Sequence, residues 1–440
     1  MKNFYTKLIF TLVILFSNFT FAHSPIIEIN KGNTAPLPIA INNFNASTSQ
    51  DKSIADSITD VIQNDLRNSG LFKLIPKDAY LEHYTGVNHT PSYSAWKAIG
   101  VSFLVNGQVT KLSKDRYQVT FILWDNLLHK HVIGKSFDTN PKLLRKVAHK
   151  IADTIYSKLT GQPGYFDTKI AYITESIARR KKVKRLAIMD YDGYNPQFLT
   201  DGKSLVLTPR LSPDGTKVLY VSYERRVPKV FIMDINSGHK RLLGNVSGIS
   251  YAPRFSPDGK KVLISIAKNG FSNIHEINLH NFQITKLTNN FAINTSPSYS
   301  PDASKIVYNS DINGSRHLYV MNSDGSNAKR ISYGDGAYAS PVWSPRGDLI
   351  ACTRITRNDG FTLSVIKPDG SADERTIAKG YIVESPSWAP NGSVVAYTKY
   401  NYPAKGKDLI PSIHFTDIAG HKDTKIMTTQ VGASAPEWSR

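Results

Sequence analysis

SYAPRFSPDGKK, residues 250–261, is one copy of a phrase that returns along the second half of the chain. Its relatives are Pro209-Arg-Leu-Ser-Pro-Asp-Gly215, Pro253-Arg-Phe-Ser-Pro-Asp-Gly259, Pro297-Ser-Tyr-Ser-Pro-Asp-Ala303, Pro341-Val-Trp-Ser-Pro-Arg-Gly347, Pro386-Ser-Trp-Ala-Pro-Asn-Gly392 and the truncated Pro436-Glu-Trp-Ser-Arg440. Successive prolines are spaced by 44, 44, 44, 45 and 50 residues. That period lies in the range of propeller blades. Each phrase reads as a strand and a tight turn. Its first proline, lacking an N–H, starts a strand or sits at a sheet edge. Pro-Asp-Gly supplies a fixed φ, a side-chain acceptor and a residue that tolerates φ > 0.

Working outward, each phrase is followed by three further strand signals. Blade by blade, the second signal is Val218-Leu-Tyr-Val221, Val262-Leu-Ile-Ser265, Ile306-Val-Tyr308, Ile350-Ala-Cys-Thr353 and Val395-Ala-Tyr-Thr398. A third strand ends near Asp234, Asn278, Asn322, Lys367 and Asp417, and a short fourth carries Leu243, Leu287, Ile331, Ile377 and Met427. Four short strands joined by turns make a blade. Ahead of the first full phrase stand Ile170-Ala-Tyr-Ile-Thr174, Met189-Asp190 and Leu199-Thr200, a blade lacking its first strand. The truncated phrase at 436–439 supplies it. The expectation is an all-β six-bladed propeller over residues 163–440, closed by the C-terminal strand, which removes free sheet edges.

Residues 36–162 read differently. Pro38–Ile41, Phe103–Val105, Tyr117–Leu123 and His131–Ile133 are strand-like. Ile54, Ile58, Val61, Ile62 and Leu66 follow helical spacing with Gly70 at the C-cap position. Leu144, Val147, Ala148, Ile151, Ile155 and Leu159 do the same before Gly161. This predicts an α+β domain, a mixed sheet with two main helices, linked to the propeller by Gly161-Gln-Pro-Gly164. Residues 1–22 have a basic start, an apolar stretch from Leu8 to Phe16 and Ala22 before a cut at His23, the pattern of a secretory signal peptide. No later stretch is long and apolar enough to span a membrane, so a non-membrane-spanning, exported chain is expected. Cys352 is the only cysteine, which excludes an intrachain disulfide and reads as a buried core residue.

The residues also bound the chemistry. A serine peptidase would need a G-x-S-x-G elbow and a hydrolase core, and neither is present. His275-Glu276 with His280 misses the zincin spacing by one residue. His129 and His131 alternate on a strand and could chelate, but no third ligand accompanies them. No cofactor motif occurs, so no enzyme, metal or cofactor is expected. Formal charge is +19, from 54 Lys and Arg against 35 Asp and Glu. Its densest run, Arg179 to Lys182 with Lys184 and Arg185, reads as a basic hairpin tip and not as a nucleic-acid patch.

Ala148-His149 to Tyr156, Leu159-Thr-Gly161, and Gly164-Tyr-Phe-Asp-Thr-Lys-Ile-Ala-Tyr172 resemble the domain junction of the TolB family. Ser69-Gly-Leu-Phe72 and Trp96-Lys-Ala-Ile-Gly100 match the same family in the smaller domain. The resemblance covers essentially the whole chain. It implies a non-catalytic, monomeric periplasmic component of the Tol-Pal system, supporting outer-membrane integrity and constriction at cell division. It further implies that the propeller mouth binds peptidoglycan-associated lipoprotein (Pal) through the residues before the repeat prolines. Those are Tyr251, Ala252, Thr295, Ser296, Ala339, Ser340, Glu384 and Ser385. A segment at 23–35, with Ile26, Ile27, Glu28 and Ile29, corresponds to the family's TolA-binding stretch, released or docked according to occupancy of the mouth. This segment differs in most residues from the family pattern. Ile27 and Ile29 alternate with Glu28, as in a strand that adds to a partner's sheet edge. The competing reading is a generic sugar- or polyanion-binding propeller, suggested by the charge.

Overall fold

The computed structural model describes residues 35–439, except 47, 83–85, 88, 179–180, 226, 245–246, 372, 403–407, 427 and 429–430. The signal-peptide reading of 1–22, and Ile26, Ile27, Glu28 and Ile29 in the segment after it, lie outside these residues.

The smaller domain is a mixed sheet of β1 (Leu37–Ile41), β2 (Asn45–Ala46), β3 (Phe72–Leu74), β4 (Phe103–Ser113), β5 (Arg116–Asp125) and β6 (Lys130–Thr139), in the order β3-β1-β4-β5-β6 with β2 beside β4. Two long helices, α1 (Ser49–Ser69) and the later 144–160 helix, cover one face. A short α2 (Tyr93–Ala98) covers part of the other, packing Trp96 on Ala40, Val101 and Leu104. Local chemistry sets the helix ends. Thr48 accepts from the Asp51 N–H at the start of α1, and Gly70 ends it with φ 79°, where a side chain would be strained. The second long helix, α3 (Leu144–Thr160), stops the same way at Gly161 with φ 72°. Neither α2 nor β3 is legible by periodicity, because six and three residues are too few to show one.

The propeller has six four-stranded sheets. Blade one consists of β7 (Lys169–Ala178), β8 (Lys181–Asp190) and β9 (Gln197–Phe198), completed by the closing strand Gly432–Trp438 along the inner edge of β7. The inner strands of blades two to six are Val206–Leu211, Ile249–Phe255, Thr295–Tyr299, Ala337–Trp343 and Ile382–Trp388. Each of the complete Ser-Pro-Asp-Gly turns is held by its own side chains. In blade three Ser256 donates to Asp258 (2.6 Å) and accepts from the Lys261 N–H (2.9 Å), while Gly259 takes φ 70°. The basic run at 179–185 falls at the β7–β8 connection, where Ala178 pairs with Lys181.

The two domains share one apolar core. Tyr156 of α3, Tyr165 and Phe166 of the link, Tyr191 of blade one, Phe415 of blade six and Trp438 of the closing strand are all buried in it. Trp438 stacks on Phe415 at 4.5 Å and donates Nε1–H to Thr168 Oγ1 at 2.7 Å. Polar contacts frame the apolar ones. Lys422 donates to the Arg67 and Asn68 carbonyls at the C-terminus of α1 (3.0 and 2.7 Å), where a cation suits the helix dipole. Asp153 of α3 accepts from the Phe166 and Asp167 N–H groups (2.8 and 3.0 Å), and burial nevertheless pushes its carboxyl up to about 6. Gly164 is needed beside it, since a Cβ there would sit 2.6 Å from the Asp153 backbone. The smaller domain therefore rests on the turn-bearing end of the propeller, leaving the opposite end uncovered by it.

Candidate partner-binding site

Tyr251, Ala252, Thr295, Ser296, Ala339, Ser340, Glu384 and Ser385 directly precede the repeat prolines, which the sequence reads as starting a strand or sitting at a sheet edge. The structure corrects this. All eight lie within the inner strands, which begin up to four residues before the proline. In every blade the residue before the proline takes a left-handed conformation: Thr208 (φ 47°), Ala252 (48°), Ser296 (55°), Ser340 (50°), Ser385 (56°) and Ala435 (51°). There the ladder shifts register, so that two residues of the inner strand oppose one of its neighbour. Ala252 and Pro253, for example, face Ile264 alone. A bulge is a place where a proline fits inside a strand, because the extra residue is already outside the ladder.

The sequence reading named four of these positions, and the structure adds Thr208 and Ala435. The signal was available, since both directly precede a repeat proline. The residues opposite the bulges are Tyr172, Tyr220, Ile264, Tyr308, Cys352 and Tyr397, all buried. Cys352 thus fills a core position that four other blades give to tyrosine. Burial raises its thiol pKa, so it is a packing residue and a poor nucleophile.

Left-handed backbone costs a non-glycine residue roughly 1–2 kcal/mol. Six such residues at one level of a ring are a store of strain at the mouth of the channel, and strain of this kind collects at binding sites. Thr208 is the most strained chemically, being β-branched, and its hydroxyl is buried without a protein partner. Thr208→Gly is therefore expected to raise stability by about 1 kcal/mol net of glycine's chain entropy. Urea unfolding would read this as a higher midpoint, and an unchanged or lower midpoint would refute it.

Around this ring apolar side chains stand exposed among charged ones such as Lys182 and Lys268. The hairpins between second and third strands, and the loops feeding the inner strands, expose Ile249, Phe271, Phe291, Ile312, Tyr381 and Tyr402. Phe291 is 87% and Tyr402 79% exposed, and Phe271 meets Phe291 edge-on at 5.1 Å. Tyr251 is anchored by a hydrogen bond to Ser272 Oγ (2.7 Å). Burial raises the Glu384 carboxyl pKa, and Lys184 opposes that rise. At the other end the same blades present Asp-Gly turns, with Tyr194, Phe282 and Ile284 as exposed apolar side chains. Aromatic and apolar side chains gathered around a concave ring suit a protein surface better than a small polar ligand.

The other candidate residues go elsewhere. His129 sits in the turn before β6 with φ 51° and stacks on Tyr93 at 4.6 Å, so the strand alternation with His131 is broken. His131 packs against Trp124 at 5.6 Å. His275 donates its Nδ1–H to the Asn273 carbonyl (3.0 Å), while Glu276 accepts from Tyr299 Oη (2.5 Å) and pairs with Lys261 (2.9 Å). Among the described residues no group of three or more His, Cys, Asp or Glu side chains could hold a metal ion. No helix among them is long and apolar enough to cross a membrane.

Comparison with known proteins agrees with this architecture. Residues 156–440 match the family model of the TolB beta propeller domain, and residues 25–132 that of the TolB amino-terminal domain. The Tol-Pal system protein TolB of Rickettsia bellii (strain OSU 85-389) is 48% identical over 223 residues, 51% of this chain and 49% of that protein. Its counterpart in Rickettsia prowazekii (strain Madrid E) is 48% identical over 217 residues, 49% of this chain and 48% of that protein. These alignments span about half the length of the curated relatives. The crystal structure of TolB from Acinetobacter baumannii superposes with a TM-score of 0.81 at 26% identity, covering 92% of this chain and 97% of that one. With both of its domains matched by family models and its architecture shared with a solved member, the chain belongs to the TolB family.

Proposed function

We propose that this chain is a non-catalytic periplasmic adaptor of the Tol-Pal system, taking peptidoglycan-associated lipoprotein at the propeller mouth and TolA on the segment at 23–35. The observation that carries the reading is the set of exposed apolar side chains, Phe291 and Tyr402 foremost, around a ring of six strained inner-strand residues. It lies at the end of the propeller that the smaller domain leaves open. A rigid ring presenting small side chains at its rim and aromatics around them can receive a protruding element of a protein partner at little ordering cost. The family relationship supports this choice of partners.

The test is a calorimetric titration of residues 23–440 with the soluble domain of the organism's own lipoprotein. Saturable one-to-one binding is expected, weakened at least about tenfold by Ala252→Arg or Thr295→Arg, which place a long charge at the rim. Removing residues 23–35 should abolish binding of the TolA domain and leave the mouth able to bind. Net charge favours a second reading, a polyanion-binding propeller. In that case the lipoprotein domain would not bind at moderate salt, and a polyanion would bind with an affinity falling steeply as salt rises.

A further inference from the structure

One residue beyond each repeat proline, the inner strands of three consecutive blades carry the charges Glu437, Arg210 and Arg254. The same position in the other blades holds Ser298, Val342 and Ser387. Both guanidinium groups converge on the one carboxylate. Arg254 Nη1 lies 3.0 Å from Glu437 Oε1 and 3.4 Å from Oε2, and Arg210 Nη1 lies 3.5 Å from Oε2. Arg210 also donates to the Pro209 carbonyl (2.6 Å). The three side chains are 13%, 14% and 9% exposed for Arg210, Arg254 and Glu437.

Two cations and one anion leave a surplus positive charge in a site largely withdrawn from water, an arrangement that is costly without a further anion. Arg254 and Glu437 line a cavity on the propeller axis of about 50 Å³, walled by Phe255, Trp343, Trp388 and Trp438. Such a volume holds roughly three or four waters, the size of a small oxyanion. No other acidic side chain lines it. The Ser298 and Ser387 hydroxyls, at the same level, accept from the backbone N–H groups of Trp343 and Trp438 in the next blade (3.2 and 2.9 Å). Burial, and then the charge of Arg254, pull the Arg210 pKa down to about 10, while Glu437 opposes the fall.

We infer that the channel holds a small oxyanion, of the carboxylate or phosphate class, in this cavity against Arg254, with the charge of Arg210 adding to its hold and Glu437 fixing the pair in place. Glu437 makes the two guanidinium groups converge and leaves their remaining N–H donors for the ligand. Fork-shaped guanidinium groups suit the paired oxygens of such an anion. The anion has two sources to distinguish, a free ion or a carboxylate that a partner bound at the mouth extends along the channel, since the cavity is lined by Ser212, Pro213, Pro345 and Pro390 of the turns at the opposite end. The second source rests on the function proposed above.

The probes are inorganic phosphate and acetate, titrated into residues 23–440 at constant ionic strength and followed by calorimetry. If the ion is free, saturable binding is expected, weakened at least about tenfold by Arg254→Gln or Arg210→Gln. Each of these variants leaves Glu437 with one cation. Glu437→Gln should tighten binding by about tenfold or more, because it removes the competing charge, and this gain survives any loss of stability in the variant. If no free anion binds, but both arginine variants weaken the lipoprotein domain at least about tenfold, the carboxylate is the partner's. Wild-type binding of that domain tests the proposed function separately. If neither free-anion nor lipoprotein affinity responds to the arginine substitutions, the inference is wrong.

Discussion

Asp65→Ala is expected to destabilise the protein by about 3–5 kcal/mol, as breaking a buried charge pair does. Asp65 is fully buried in α1. It accepts from Tyr191 Oη of blade one (2.5 Å) and pairs with Nδ1 of His149 in α3 (2.7 Å). Those contacts span 126 and 84 residues, so one carboxylate ties both helices of the smaller domain to the propeller. Its removal strands a buried imidazole, whose Nε2 already lacks a protein partner, and a buried phenol. The measurement is urea unfolding of wild type and variant, and a loss below 1 kcal/mol would show that the network does not join the domains.

The same network gives the stability a pH dependence. Burial works to lower the His149 pKa, but the hydrogen bond and charge of Asp65 outweigh it, so the imidazole holds its proton above the usual 6.5. Asp192 adds to this hold and Arg145 opposes it. A group raised on folding stabilises fully below its unfolded value and loses that contribution as pH rises through its folded value. Wild-type stability should therefore fall as pH climbs past 6.5, and His149→Gln should lack that slope. A parallel pH profile for the two proteins would remove His149 as its source.

Trp438→Ala is the second large effect, about 3–5 kcal/mol. Trp438 is 3% exposed, and its ring packs on Phe415 and on Tyr165 (5.7 Å). Its backbone N–H donates to Ser387 Oγ of blade six (2.9 Å), so it fastens the closing strand to the neighbouring blade as well as to the domain interface. Losing it should split one unfolding transition into two, with the propeller's closing edge becoming sensitive to protease first. Trp343→Ala is the control, being a buried tryptophan at the same blade position but away from the interface. If both variants unfold in a single step with equal losses, Trp438 has no special part in closure.

The blade count, the closing strand and the two long helices were legible in the sequence because their signals are local. Pro-Asp-Gly turns, β-rich runs such as Val262-Leu-Ile-Ser265 and the stripe from Ile54 to Leu66 each report on residues a few positions apart. The proline itself misled. It marks a bulge inside the strand, and a bulge exists only once a neighbouring strand is there to be mismatched, so the left-handed Thr208 and Ala435 had no local signature beyond their place before proline. His129 and His131 were mis-paired for a similar reason, since the turn that separates them is set by the β5–β6 pairing.

The sequence by itself determined how many blades there are, and that the last strand must complete the first, because a repeat with one missing and one spare strand has a single way to satisfy its edges. Only the tertiary structure decided that Asp65, His149 and Tyr191 meet, that Glu437 faces two arginines, and which end of the ring the smaller domain covers. The physical reason is common to all three. Pairing energies between charges and buried polar groups depend on distance through space, and the closure of the ring, with the docking of the smaller domain on one end of it, brings together residues that are far apart along the chain.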